Sequence, residues 1–245
     1  MMLMVSVQNL EEAKQAVLGG ADIVDVKNLQ EAMVGSNFPP VIKQVREAFP
    51  ANIHVSVTLG VVPNQVGTVA LAVYGAGALN ATSVKVGFVN TDYETALDIL
   101  KESKRALEGT RTKLIAATFA DSKLYNGLEP EAVLPLARES KSDGILIDTL
   151  TKDGRNLFDF MSEDKLKSIV LSSKEEGLST ALSGALRISN FDTLTRINPD
   201  IVGVRGAVCT DNDRYAGRVT ASAVRKVKDE LELRVSGKLN VFARS

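Results

Sequence analysis

The chain has one cysteine, Cys209, and one histidine, His54. A disulfide needs two thiols and zinc centres are built from clusters of Cys and His, so neither an intrachain bridge nor the usual metal site can organise this protein. A lone thiol suits a reducing compartment, and a cytoplasmic protein is expected. Apolar runs stay well short of the ~18 residues a membrane helix needs, and residues 1–7 lack the charged start and long apolar stretch of a secretory leader. An excess of one charge is missing too. With 29 Lys and Arg against 30 Asp and Glu, the net charge is −1, which leaves no broad field to hold nucleic acid or an anionic membrane. The first apolar run is followed by Gln8-Asn9-Leu10-Glu11 and not by a glycine-rich turn, so the common dinucleotide fingerprint is absent.

What is present is a regular alternation. Short β-rich runs recur at 3–7, 23–27, 54–59, 83–88, 113–119, 144–149, 179–183 and 201–205. Between them lie segments with helical spacing, such as Tyr93, Ala96, Leu97 and Leu100, or Val224, Val227 and Leu231. Asn9 three residues before Glu12, Thr91 three before Glu94, and Ser162 ahead of Glu163 and Asp164 read as helix N-caps. Eight evenly spaced strand–helix units favour a closed parallel barrel over an open doubly wound sheet. The fold expected is α/β, a single (βα)8 TIM barrel over residues 1–232; a tail at 233–245 has no partner in the eight-unit scheme. A chain of 245 residues fits, since such barrels commonly reach about 250. Apolar helix faces and the tail point to a homo-oligomer.

The strand-to-helix links after the second, fifth, sixth and eighth strands, at 28–38, 120–129, 150–161 and 207–219, are long. That side of a barrel carries the active site. The link at 28–38, with Gly35 inside it, reads as a lid. Side chains alternate along a strand, so Val24 and Val26 facing the helices send Asp25 and Lys27 into the barrel. Val84 and Val86 likewise leave Ser83, Lys85 and Gly87 inside. Ile145 and Ile147 leave Asp148 inside, with Lys152 in the loop above it. An ammonium withdrawn from water and placed near others loses affinity for its proton, and the pKa can fall from ~10.4 toward ~7–8. The free amine condenses with a carbonyl, and the iminium then serves as an electron sink for aldol or elimination chemistry without metal or cofactor. Lys27, at the end of good strand and two residues from an aspartate, is the expected nucleophile. For Lys85 and Lys152, a stabilising pair with aspartate or a snorkelling side chain remains an equal reading. For Asp25 and Asp148, charge compensation stands beside proton transfer.

Ser183-Gly184-Ala185 and Gly203-Val204-Arg205-Gly206 lie after strands seven and eight, where barrels frequently bind phosphate. Ser183, Gly184, Gly203 and Gly206 are therefore phosphate-site candidates, with Arg205 as a bidentate charge, unless the glycines only relieve crowding. His54 opens strand three at the opposite end and reads as structural. Cys209 reads as packing, and Arg214 and Arg218 as surface charge or a second anion contact.

These residues together resemble the (5-formylfuran-3-yl)methyl phosphate synthase family. The segments that carry the likeness are Gly19–Asn28, Val84-Lys85-Val86-Gly87, Ile147-Asp148-Thr149 with Lys152-Asp153-Gly154, Leu157-Phe158-Asp159-Phe160 and Asp200–Ala207. The resemblance runs through nearly all of the chain. It implies a class I aldolase-like barrel that joins two molecules of glyceraldehyde 3-phosphate into a phosphorylated furan aldehyde, with loss of phosphate and water, for a methanofuran-type cofactor. It implies Lys27 as the Schiff-base lysine, Lys85 and Lys152 as further active-site lysines, and Asp25 and Asp148 as their acidic partners. Rival readings are another class I aldolase on a sugar phosphate, and a non-catalytic barrel that binds a phosphometabolite.

Overall fold

A computed structural model describes residues 1–31 and 34–242, with side chains placed up to 237. Eight parallel strands close into a barrel in chain order. They are β1 (Met2–Val7), β2 (Ile23–Val26), β3 (His54–Val61), β4 (Ser83–Gly87), β5 (Lys113–Phe119), β6 (Gly144–Asp148), β7 (Ser179–Leu182) and β8 (Ile201–Val204). The intervening helices are α1 (Leu10–Leu18), α2 (Pro39–Glu47), α3 (Val66–Ala78), α4 (Tyr93–Ala106), α5 (Val133–Ser140), α6 (Glu163–Glu175), α7 (Phe191–Ile197) and α8 (Ala221–Phe242). The expected architecture is the observed one. Closure leaves no open sheet edge, and β1 pairs with β8 through Met2 to Val5. None of the described helices is long and apolar enough to cross a membrane.

The alternation of side chains produces two separate apolar layers. Outward residues such as Val24, Val26, Val84, Val86, Ile145 and Ile147 join the helices in the main core, each at most 1% exposed. The barrel interior holds a second, sparse cluster of Ala117, Leu146 and Ala181. Small residues there leave room for charge and for cavities, a point that becomes functional below.

Local signals set the helix starts. Asn9 Oδ1 accepts from Glu12 N at 2.9 Å while Glu12 Oε2 accepts from Gln8 N at 2.9 Å, a reciprocal cap. Ser162 caps α6 as expected. On α4 the cap is Asp92, one residue beyond the expected Thr91. Asp92 Oδ1 accepts from Thr95 N at 2.8 Å, and the Thr91 hydroxyl is engaged with Asn64 at 2.6 Å. Both residues suit the cap, and a tertiary bond decided between them. The expected tail has a conformation: α8 runs on through residue 242.

The segment after β2 is pinned at its base. Asn28 N donates to Gly35 O at 2.9 Å, and Asn37 Nδ2 donates to Gln8 O at 2.8 Å and to Lys27 O at 3.1 Å. It crosses β3 at Gly60, where φ is +71° and a Cβ would stand 1.8 Å from Val34 O, so no other residue fits. The tip of the expected lid, residues 32 and 33, lies outside the described residues.

Candidate active site

The C-terminal ends of β2, β4 and β6 bring the expected charges together. Asp25 is fully buried on the β2 inner face, with Lys85 Nζ 2.5 Å from Oδ1 and Lys27 Nζ 3.3 Å from Oδ2. Thr58 donates to Oδ1 at 2.9 Å and Ser6 to Oδ2 at 3.3 Å. One carboxylate thus holds two amines and two hydroxyls. Across the barrel Lys152 Nζ lies 3.0 Å from Asp148 Oδ1 and donates to Thr149 O at 2.5 Å and Thr149 Oγ1 at 3.0 Å. The loop carrying Lys152 is itself fixed, because Asp121 accepts from Leu150 N at 2.8 Å and Thr151 N at 2.6 Å.

Burial would raise the Asp25 carboxyl, but Lys85 and Lys27 outweigh it and hold the group well below the ordinary carboxylate range. Asp148 is pushed down to about 2: Lys152 and Lys27 overcome its desolvation. Both carboxylates are therefore ionised at neutral pH. Lys85 moves the other way, its ammonium weakened by burial and by Lys27 despite the pull of Asp25. Lys152 is weakened by burial and by Arg214 and Lys27, against the attraction of Asp148. An amine that yields its proton beside a permanently charged carboxylate is suited to move protons.

Lys27, Asp148 and Lys152 open into a cavity of about 870 Å³ at the strand ends, within the usual range for a small-molecule site. Lys27, Lys152, Arg187, Arg205, Arg214 and Lys226 line it against the carboxylates of Asp148 and Asp213. The cationic surplus favours a phosphorylated ligand. Arg214 was legible only as a surface charge or second contact. Here it is half-buried, faces the cavity and stacks 5.1 Å from the Tyr215 ring centroid. Arg218 is exposed, as read.

Ser183, Gly203 and Gly206 line the same cavity. Gly184 does not. At φ +115° it turns the end of β7 against the next loop, with an added Cβ only 3.0 Å from Thr149 Cγ2, and its carbonyl accepts from Leu157 N at 2.9 Å. Gly203 also has a packing reason, since a Cβ there would meet Met4 Cε at 2.7 Å.

Arg205 also lines the cavity and is anchored within the protein: Nη1 donates to Glu12 Oε2 at 2.8 Å and Ser6 O at 2.9 Å, Nη2 to Glu12 Oε1 at 3.2 Å, and Nε to Arg214 O at 2.8 Å. Glu12, read only as a capping residue, supplies a buried counter-charge from 193 positions away. Arg205 thus ties α1, β1 and the loop after β8 into one rim. Glu12→Gln, which keeps the shape and removes the charge, is expected to lower stability by about 2–3 kcal/mol, read as a fall in the urea midpoint with an unchanged slope.

His54 lies at the far end of the barrel, with Nε2 2.9 Å from Ser83 Oγ. Burial, then the Lys85 and Arg46 charges, push its pKa down to about 4, with Asp25 opposing. Between the unfolded value of ~6.5 and about 4 the unfolded chain binds a proton that the folded chain refuses. The stability this contributes is complete above pH ~6.5 and is lost as pH falls toward 4, by about 2–3 kcal/mol. His54→Asn should remove that part of the slope in denaturant titrations across this range.

Fold and site together define a (βα)8 barrel with a cationic cavity of lysines and carboxylates at its strand ends. Among solved structures, 3-hexulose-6-phosphate synthase from Salmonella typhimurium superposes with a TM-score of 0.65 at 19% identity, covering 96% of this chain and 100% of that one. KGPDC from Streptococcus mutans does so at 0.64 and 13% identity, over 95% and 98%. These likenesses are of fold alone. The family model described as 4-HFC-P synthase matches residues 3–228. The (5-formylfuran-3-yl)methyl phosphate synthase of Methanothermobacter thermautotrophicus is 43% identical over 234 residues, 95% of this chain and 99% of the relative. That of Methanopyrus kandleri is 42% identical over 232 residues, 94% and 98% of the two chains. The chain belongs to this enzyme family, as the residues quoted above suggested.

Proposed function

We propose that this enzyme condenses two molecules of glyceraldehyde 3-phosphate into (5-formylfuran-3-yl)methyl phosphate through an iminium on Lys27, for a methanofuran-type cofactor. The observation that carries the reading is the Lys27 amine at the floor of a cationic cavity, sharing Asp25 with a second buried lysine. The names of the curated relatives support the product.

The chemistry follows from the positions. Attack of Nζ on the triose aldehyde and loss of water give an iminium, which acidifies the adjacent C–H. Lys85, with the ionised Asp25 beside it, takes and returns that proton. The electron pair so released expels the phosphate on the neighbouring carbon or adds to the carbonyl of the second triose. Asp148 and Lys152, beside the anion-binding rim, assist departure of phosphate and the later dehydration. Loss of one phosphate and water in net terms makes the enzyme a carbon–oxygen lyase. Ser183, Gly203 and Gly206 are the proposed phosphate contacts of the rim, with Gly184 shaping the turn and Arg205 holding the loop. The proposed setting is the cytoplasm, as a homo-oligomer; Leu71 and Tyr74, exposed on one face of α3, support self-association.

Borohydride reduction in the presence of glyceraldehyde 3-phosphate tests this directly. The expected result is a mass adduct on the Lys27 peptide, and, without reductant, growth of a furan absorbance. An adduct without furan would indicate another Schiff-base aldolase. Binding with neither would indicate a non-catalytic barrel and defeat the proposal.

A further inference from the structure

The barrel has a second opening. At the N-terminal ends of the strands a cavity of about 390 Å³ enters the interior, and its lining includes His54, Ser56, Ser83 and Lys85. Lys85 also borders a void of about 20 Å³ that it shares with Lys27 and Asp148 on the mouth side. Its amine therefore stands between the two ends of the barrel.

The strand register arranges the polar groups into a column. On β3, His54, Ser56 and Thr58 occupy alternate inward positions, and Thr58 bonds Asp25. Ser56 is the cross-strand neighbour of both Asp25 and Ser83, and Ser83 bonds His54. Ser56 is 2% exposed and its hydroxyl has no hydrogen-bond partner within the described protein. A buried, unpaired hydroxyl beside a cavity calls for water, and 390 Å³ accommodates several molecules at ~30 Å³ each, with Ser56, Ser83, His54 and Lys85 as their polar partners. Met4, Ile23, Ile115, Ala181 and Ile201 form apolar walls around the rest of the passage.

We propose that the N-terminal end of the barrel is a proton port, in which a water-filled column through Ser56, Ser83 and His54 connects Lys85 with bulk solvent. A proton taken from carbon by the Lys85 amine gives an ammonium. The ammonium passes a proton to column water, which releases one at the far end, so the amine is restored and no charge is left inside. Hydroxyls and water both donate and accept, which lets the chain reset. The advantage is a separation of tasks. Substrate occupies the mouth, while protons travel by the other end. The groups facing His54 are Lys85 and Asp25 above, Arg46 on α2, and Lys113, Asp143 and Glu176 at the outer rim of the cavity.

The turnover arm of the test rests on the proposed reaction, and a second arm does not. Ser56→Val plugs the column, and His54→Ala removes its outer relay. Each is expected to leave the borohydride adduct on Lys27 intact while slowing furan formation at least about tenfold. Imidazole should restore His54→Ala, whereas thiophene, of similar size but with no N–H donor, should not. Rescue by both would mark a merely structural role and overturn the port, as would turnover in both variants within about twofold of wild type. If wild-type protein forms no furan, the reaction reading fails and the port is decided by solvent exchange of the Lys85 Nζ protons in ¹⁵N-lysine-labelled protein. Slower exchange in Ser56→Val sustains it, and unchanged exchange overturns it. Ser56→Ala, which adds no bulk, serves the same comparison if the valine variant does not fold.

Discussion

Replacing Lys27 by arginine is expected to abolish the borohydride adduct and to reduce furan formation by at least about 10³-fold. Arginine preserves the positive charge beside Asp25, so the electrostatics of the cluster survive. What it lacks is an amine that can be freed of its proton and condensed with a carbonyl. The loss is therefore chemical and not electrostatic, and the two are separable by experiment. Lys27 is 6% exposed and arginine is bulkier, so Lys27→Met supplies a variant of closer fit, with circular dichroism and the urea midpoint as folding controls. Both variants should retain binding of inorganic phosphate through Lys152 and the rim. An adduct that persisted in Lys27→Arg and mapped to Lys85 or Lys152 would move the nucleophile there and refute the assignment.

The convergence of Asp25, Lys27, Lys85, Asp148 and Lys152 was legible because strand alternation is a strict geometric rule. Once Val24, Val26, Val84 and Val86 face the helices, the intervening charges have nowhere to go but inward. Closure of the barrel then makes neighbours of strands that the sequence separates by dozens of residues. Partner choice follows no such rule. Arg205 was placed correctly at the rim, but nothing in local spacing indicates that Glu12 neutralises it, because that pairing depends on α1 and β8 meeting across the closure. Ser6 and Thr58 were silent for a related reason, since hydroxyls on strands are common and become informative only when both aim at one carboxylate. Gly184 illustrates an ambiguity within one residue type: a glycine at a strand end serves close ligand approach or a left-handed turn, and here the turn is the observed use. The cavity below Lys85 left no positive trace at all. It arises from what Ser56, Ser83 and Ala181 fail to fill.

Asp25→Asn is expected to separate the two duties of the carboxylate. It leaves two buried amines without their shared counter-charge, and breaking a buried pair by removing one partner costs about 3–5 kcal/mol. In the wild type the folded-state pKa of Asp25 is depressed, so its contribution is present above the unfolded value of about 3.8 and is lost as pH falls below it. In the variant the Lys85 ammonium, already weakened by burial, is weakened further, and a lysine with a depressed pKa gains stability as pH rises toward its unfolded value of ~10.4. The stability gap between the two proteins should therefore be widest near neutrality and narrow in both directions, as urea titrations at about pH 3, 7 and 9.5 would show. The kinetic signature is different. Lys27 still captures the aldehyde and the borohydride adduct persists. Return of the proton to carbon fails, and turnover falls by at least about 10²-fold. A carboxylate that only braced the fold would lower adduct and turnover in parallel, in proportion to the fraction unfolded, and that parallel loss is the result that would deny Asp25 a part in proton transfer.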